Sequence, residues 1–160
     1  MVKQKIRQGV HIMDNVTVTL TDINTGEEQS FSRHNIELNY ALSALSQWIA
    51  GFNNSGYQPV YPPSKCSLGS GSGTPAKTDE ALFAAISNGT ANVNVANANS
   101  PSSGTTTFIF QFPAGQVTTQ VTEALMTDVN GNPWFHVIFG SAFTPTSTQM
   151  ITVKWEVTFS

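Results

Sequence analysis

The sequence is short of charge. Asp, Glu, Lys and Arg make up 11% of its 160 residues, less than half the share of about 25% usual in soluble domains. The shortage is concentrated in the second half, where residues 81–160 carry only Glu123, Asp128, Lys154 and Glu156. Thr, Ser, Asn and Gln must cover that surface. Such a surface suits a protein outside cells or packed in an assembly, where neighbours and not like-charge repulsion control association. The net charge of −3 argues against nucleic acid as the main partner. There is one cysteine, Cys66, so no disulfide can form within the chain. No apolar run approaches the ~20 residues of a membrane-spanning helix, and the N-terminus lacks the apolar stretch of a secretion signal. The expectation is a chain made in a cytoplasm and carried outside, if at all, by something such as lysis, with no membrane partner.

What is present is β patterning. Hydrophobic residues are 39% of the chain, enough for one globular domain of this length. Ile151, Val153, Trp155, Val157 and Phe159 alternate with Thr152, Lys154, Glu156 and Thr158, the period of a half-buried strand. Before it lies the dense apolar run Pro133–Phe139. The Asn130-Gly131 dipeptide signals a hairpin turn back to a strand within Val117–Thr127. Phe108, Phe110 and Phe112 mark another strand, and Lys65–Leu68 a short one that would bury Cys66. Val16, Val18 and Leu20 alternate with Thr17, Thr19 and Thr21, and the Asp22–Gly26 turn leads to a return strand around Phe31. Residues 89–104 read as a weak strand or an exposed loop.

Two helices are expected. Leu38, Ala41, Leu42, Leu45, Trp48, Ile49 and Phe52 fall at helical spacing behind Asn35 as cap, which places a helix near 36–51. A shorter one is expected near 79–87, capped by Thr78. The fold class that results is mainly β, a β-sandwich of jelly-roll-like form with about eight strands and two α-helices. Residues 1–13 would be an N-terminal arm and 14–160 a single domain.

No chemistry is written in the motifs. Gly69-Ser70-Gly71-Ser72-Gly73 before the second helix invites a phosphate-cradle reading, but its third glycine comes one residue early for a dinucleotide fingerprint, and Ala76 precedes Lys77-Thr78 where a P-loop needs glycine. A flexible connection is the simpler reading. His11, His34 and His136 have no second ligand at metal spacing. Asp128-x-Asn130-x-Asn132 starts like a calcium loop but has Pro133 at the sixth position and Gly140 at the twelfth, so a hairpin turn explains it better. Glu123, flanked by Val121 and Leu125 on one face, is the only acid within a β run. Without an evident acidic partner it reads as a salt-bridged or hydrogen-bonded structural group. No catalytic residue, cofactor site or metal site is expected, and the chain reads as a non-enzyme.

Contact residues are the remaining candidates. Lys3, Lys5 and Arg7 precede any acid; they form either a solvated tail or an arm gripping an acidic neighbour. Tyr57 and Tyr61 stand in the Pro-rich loop 53–64, which is a contact surface or a loop pinned by its own aromatics. Trp134 and Tyr57 are the residues a glycan-recognition surface would use.

Two segments carry a resemblance. Leu68-Gly69-Ser70-Gly71-Ser72-Gly73-Thr74-Pro75 with Thr78-Asp79-Glu80-Ala81-Leu82, and Val121-Thr122-Glu123-Ala124-Leu125-Met126-Thr127-Asp128 followed by Gly131-Asn132, Phe135 to Phe143 and Met150 to Phe159, together resemble small β-rich structural proteins of tailed bacteriophages. The resemblance covers roughly the last two thirds of the chain. It departs from the pattern in lacking a glycine after Glu123-Ala124 and a basic residue before Phe139. It implies a virion component: a head decoration or cement protein that stabilises the capsid across neighbouring subunits, or a tail or baseplate accessory protein with a receptor- or glycan-binding role. The partners implied are the major capsid or tail proteins and further copies of the chain, a trimer among the options.

Overall fold

The computed structural model describes residues 12–50, 60–99 and 104–159. The arm candidates Lys3, Lys5 and Arg7, as well as His11 and Tyr57, lie outside the described residues.

The first hairpin forms as the alternation requires. Strand β1 (Ile12–Asp22) buries Val16, Val18 and Leu20 and turns its threonines outward. It pairs with β2 (Glu28–Arg33) in antiparallel register, Val18 opposite Phe31. The turn between them closes because Asp22 Oδ1 accepts from the Asn24 and Thr25 N–H groups, and Gly26 takes φ +73°.

Helix α1 (Asn39–Ile49) is shorter than the expected 36–51. Ile36 and Glu37 instead form a two-residue strand, β3, and the Leu38 N–H donates to the Trp134 carbonyl at 3.0 Å. The cap position is therefore Leu38, which has no side-chain acceptor, and Asn35 caps nothing. Ala41 and Ala44 are buried against the sheet, whereas Leu42, Trp48 and Ile49 are exposed, so only part of the expected apolar stripe is core.

The remaining strands are β4 (Lys65–Gly69), β5 (Ala85–Asn99), β6 (Thr105–Phe112), β7 (Val121–Thr127), β8 (Pro133–Phe143) and β9 (Gln149–Phe159). All pair antiparallel, in the order β2-β1-β9-β6-β5-β4-β7-β8-β3. The described chain is thus mainly β, with nine strands and one helix where about eight and two are expected from the sequence.

The segment read as a weak strand is the longest of all, β5. Its first part pairs with β4, its second part with β6, and the register slips between Val93 and Val95 where it changes partner. That corner curls the sheet so that its two halves face each other. Phe135 of β8 meets Trp155 of β9 at 6.2 Å between ring centroids, and Phe31 of β2 stacks on Phe143 of β8 at 5.5 Å. Phe110, Phe112, Val153, Met126 and Val137 fill the space between.

The other face of β7 and β8 is covered rather than exposed. Helix α1 lies over Trp134, which touches Trp48 and Tyr40, and the connection 70–84 lies over Glu123 and His136. β8 is consequently buried on both faces from Trp134 to Val137, which explains why its sequence shows a dense apolar run and no alternation. The helix expected at 79–87 does not form: β5 begins at Ala85, and the amides of Phe83 and Ala84 that a helix would use donate to the Glu123 carboxylate.

Candidate functional site

Glu123 sits on β7 with no solvent exposure. Its cross-strand neighbour on β4 is Gly69. A side chain at Gly69 would collide with the Glu123 carboxylate and come within 2.8 Å of the Ala84 carbonyl. Gly71 and Gly73 are equally crowded, the first by Glu123 and Phe83, the second by the Phe83 ring. The period-two glycines thus bare one side of the chain so that it can close over the carboxylate. They do not make the flexible connection expected from the sequence, because the segment is bonded down at both ends.

Four groups point at that carboxylate. Oε1 accepts from the N–H of Gly71 at 3.0 Å and of Ala84 at 2.8 Å. Oε2 accepts from the N–H of Phe83 at 3.0 Å and lies 3.0 Å from His136 Nε2. Burial pushes the Glu123 carboxyl up, but the N–H groups of Ala84 and Phe83, the His136 ring and the Gly71 N–H together outweigh burial and hold it below its usual value. His136, on β8 and fully buried, reaches the other way to Asp79 Oδ2 at 2.7 Å. Asp79 in turn accepts from the Ala76 N–H at 3.0 Å. The Phe83 ring packs on His136 at 5.1 Å.

This row of Asp79, His136 and Glu123 supplies the acidic partner that the sequence did not disclose. Its geometry is that of a clamp. Every acceptor position of Glu123 is taken, and neither it nor His136 meets solvent. Placing an acid, an imidazole and an acid in a row is how catalytic sites orient a base; here the Glu123 end is sealed, while Asp79 borders a surface groove of about 540 Å³ shared with Tyr40, Lys77 and Asn132.

Asp128 repeats the theme on a smaller scale. It is buried, with Oδ1 accepting from the Asn130 and Asn132 N–H groups and Oδ2 from the Tyr40 hydroxyl and the Asn132 side-chain amide. The turn's own donors occupy the oxygens a calcium ion would need, and Gly131 takes φ +88°. Among the described residues no group of three or more His, Cys, Asp or Glu is placed to hold a metal. Cys66 is buried, and burial pushes its thiol well above the usual range.

The surface carries the other candidates. Tyr61 is exposed, as a contact residue must be. Trp134 is not: only 3% of it is accessible, so it does not offer the exposed platform a glycan would stack on. It is buried because α1 covers that face of β8, and it forms the floor of an apolar groove of about 460 Å³ whose walls include Leu45, Trp48, Pro62, Phe108 and Phe159. Ile49, Ile23, Met13, Val129 and Phe83 are exposed elsewhere. At the sheet end Asp14 is buried, with Oδ2 unpartnered, beside Asn35, whose side-chain amide is also unpartnered. Burial raises the Asp14 carboxyl to about 6.

Compared with known proteins, the chain matches no family model, no curated protein and no solved structure at a significant level.

Proposed function

We propose that the protein is a non-enzymatic structural component of a tailed-phage virion, a capsid decoration or cement protein that stabilises the particle by contacts across neighbouring subunits. The observation that carries this reading is the combination of a charge-poor surface with large apolar side chains left in water. Ile49 is 83% exposed, Ile23 62% and Met13 57%. Side chains of this kind lower the free energy of association when a neighbour covers them, by about 25 cal/mol per Å² of apolar surface. The buried ionic groups support it from the other side, since Glu123 and His136 are sealed from solvent and, with Asp79, bind the fold together. The two facing halves of the curled sheet serve in this reading as the layers of a jelly-roll-like sandwich, a stiff block suited to repeated contacts.

The resemblance in residues 68–82 and 121–159 supports the same assignment, with the virion as location and capsid or tail proteins as partners. The rival role, a tail or baseplate accessory protein that binds a receptor glycan, keeps the exposed Tyr61 but loses Trp134 as a stacking surface. Mass spectrometry and density maps of purified particles test the proposal. A stoichiometric copy on the capsid surface is expected. A chain absent from particles but abundant in the lysate refutes the virion role, and one located only at the tail tip, with binding on a glycan array, favours the rival.

A further inference from the structure

Strand β2 ends the sheet. One side pairs with β1, and among the described residues no strand pairs with the other. The β1 ladder shows which of its groups are spare. The Asp22 N–H donates to the Glu27 carbonyl at 2.9 Å, which makes Asp22 and Glu27 a hydrogen-bonded pair. Such pairs alternate along an antiparallel ladder, so Gln29, Phe31 and Arg33 also bond to β1, while Glu28, Ser30 and Ser32 send their N–H and C=O groups outward.

That edge is built firmly. Ser32 and Ser30 are bonded to Thr17 at 3.0 Å and Thr19 at 2.9 Å, and Phe31 is stacked on Phe143 with the rings 11° from parallel. The strand contains neither proline nor a bulge, the usual devices that stop edges pairing. Two opposite charges flank it on the same face, Glu27 before it and Arg33 at its end; both are exposed, neither is in an ion pair among the described residues, and the Arg33 guanidinium rests against Gly140 of β8.

We propose that β2 pairs antiparallel with β2 of a second copy of this chain, about a twofold axis through Ser30, to form a homodimer with one continuous sheet. Residues opposite each other in a ladder share a face, so a twofold axis must pass through a residue and not between two. Through Ser30, Glu27 lies opposite the second copy's Arg33, and the same pair recurs at the other end. Ser30 meets its own counterpart and Glu28 meets Ser32, each with its outward N–H and C=O available to the other. An axis through Phe31 would set Arg33 against Gln29 and make no ion pair, so charge selects the first register. The paired edges are short, so a weak dimer is expected, with a dissociation constant on the order of 10 µM. This inference goes beyond the virion reading and stands on strand register whether or not the protein works in a particle.

Sedimentation of the full chain over concentrations spanning that constant tests it. A monomer–dimer equilibrium is expected. Ser30→Pro should abolish the dimer, since the lost N–H points away from β1 and the fold keeps its own ladder; circular dichroism checks that the variant is folded. Glu27→Arg and Arg33→Glu should each weaken the dimer by about tenfold or more. The double swap, Glu27→Arg with Arg33→Glu, should restore it, because each reversed charge again meets its opposite. These charge variants carry the test if the proline variant does not fold. A wild type monomeric throughout, a folded Ser30→Pro dimer, or a double swap as weak as the single variants overturns the proposal.

Discussion

Replacing Glu123 with Gln tests the clamp with almost no change of shape. The amide oxygen settles at the Oε1 position, where it still accepts from Gly71 and Ala84, and the NH₂ group then faces the Phe83 N–H and His136 Nε2. One backbone donor is left buried against another donor, and the charge that faced the imidazole is gone. A buried unsatisfied group costs about 1–3 kcal/mol, and a lost hydrogen bond to a charged acceptor contributes about the same, so the expected destabilisation is about 3 kcal/mol. Glu123→Ala leaves all four donors without an acceptor and opens a cavity, and should cost about 4–5 kcal/mol.

Urea unfolding reads the total, and amide hydrogen exchange reads the place. Phe83 and Ala84 should lose protection in Glu123→Gln while β9 keeps it. The pH dependence has a definite sign. The folded-state carboxyl lies below its ordinary value of 4.5, so its stabilisation is fully present above that value and is lost as pH falls through the depressed one. The gap between wild type and Glu123→Gln should therefore narrow in acid, below the ordinary carboxylate range. A Gln variant within about 0.5 kcal/mol of wild type, a margin usual for surface substitutions, or one whose Phe83 and Ala84 amides exchange at wild-type rates, would refute the clamp.

Other outcomes follow from the same contacts. Asp14 has the opposite sign: its folded value of about 6 lies above its ordinary 3.8, so its charge destabilises the fold progressively as pH rises through that window. Asp14→Asn should stabilise the fold at pH 8 by about 1–2 kcal/mol after allowance for solvent screening, seen as a higher melting temperature, and give no gain at pH 3.5. Gly69→Ala should cost about 2–3 kcal/mol through overpacking against Glu123 and the Ala84 carbonyl. Gly131→Ala has open space around it but a φ of +88°, and should cost only about 1 kcal/mol from backbone strain; melting curves of the two variants check the ranking. Cys66 should resist thiol reagents in the folded protein and react on unfolding in urea, because the thiol is buried and held protonated. Rapid labelling of the native state would contradict that burial.

Period-two patterns in this chain were legible because they are local. A strand half-buried on one face repeats its environment every second residue, so β1, β6 and β9 could be read from Val16–Leu20, Phe108–Phe112 and Ile151–Val157 alone. The hairpin turns at Asp22–Gly26 and Asp128–Asn132 were legible for the same reason, since each carboxylate bonds to amides within four residues of itself. What the sequence determined without help was thus a mainly β chain with its turns, a buried Cys66 and a surface poor in charge.

The tertiary structure decided the rest. Asp79 and His136 lie 57 positions apart and Glu123 lies between them in the chain, so only the curl of the sheet and the closure of residues 70–84 bring the three together. The helical pattern at 79–87 was outbid by a carboxylate from another strand, which took the Phe83 and Ala84 amides that a helix would have used. Trp134 looked like a surface aromatic until α1 covered its face of β8. In each case a long-range contact stabilises more than the local preference it replaces, and a one-dimensional pattern holds no record of which distant group will arrive.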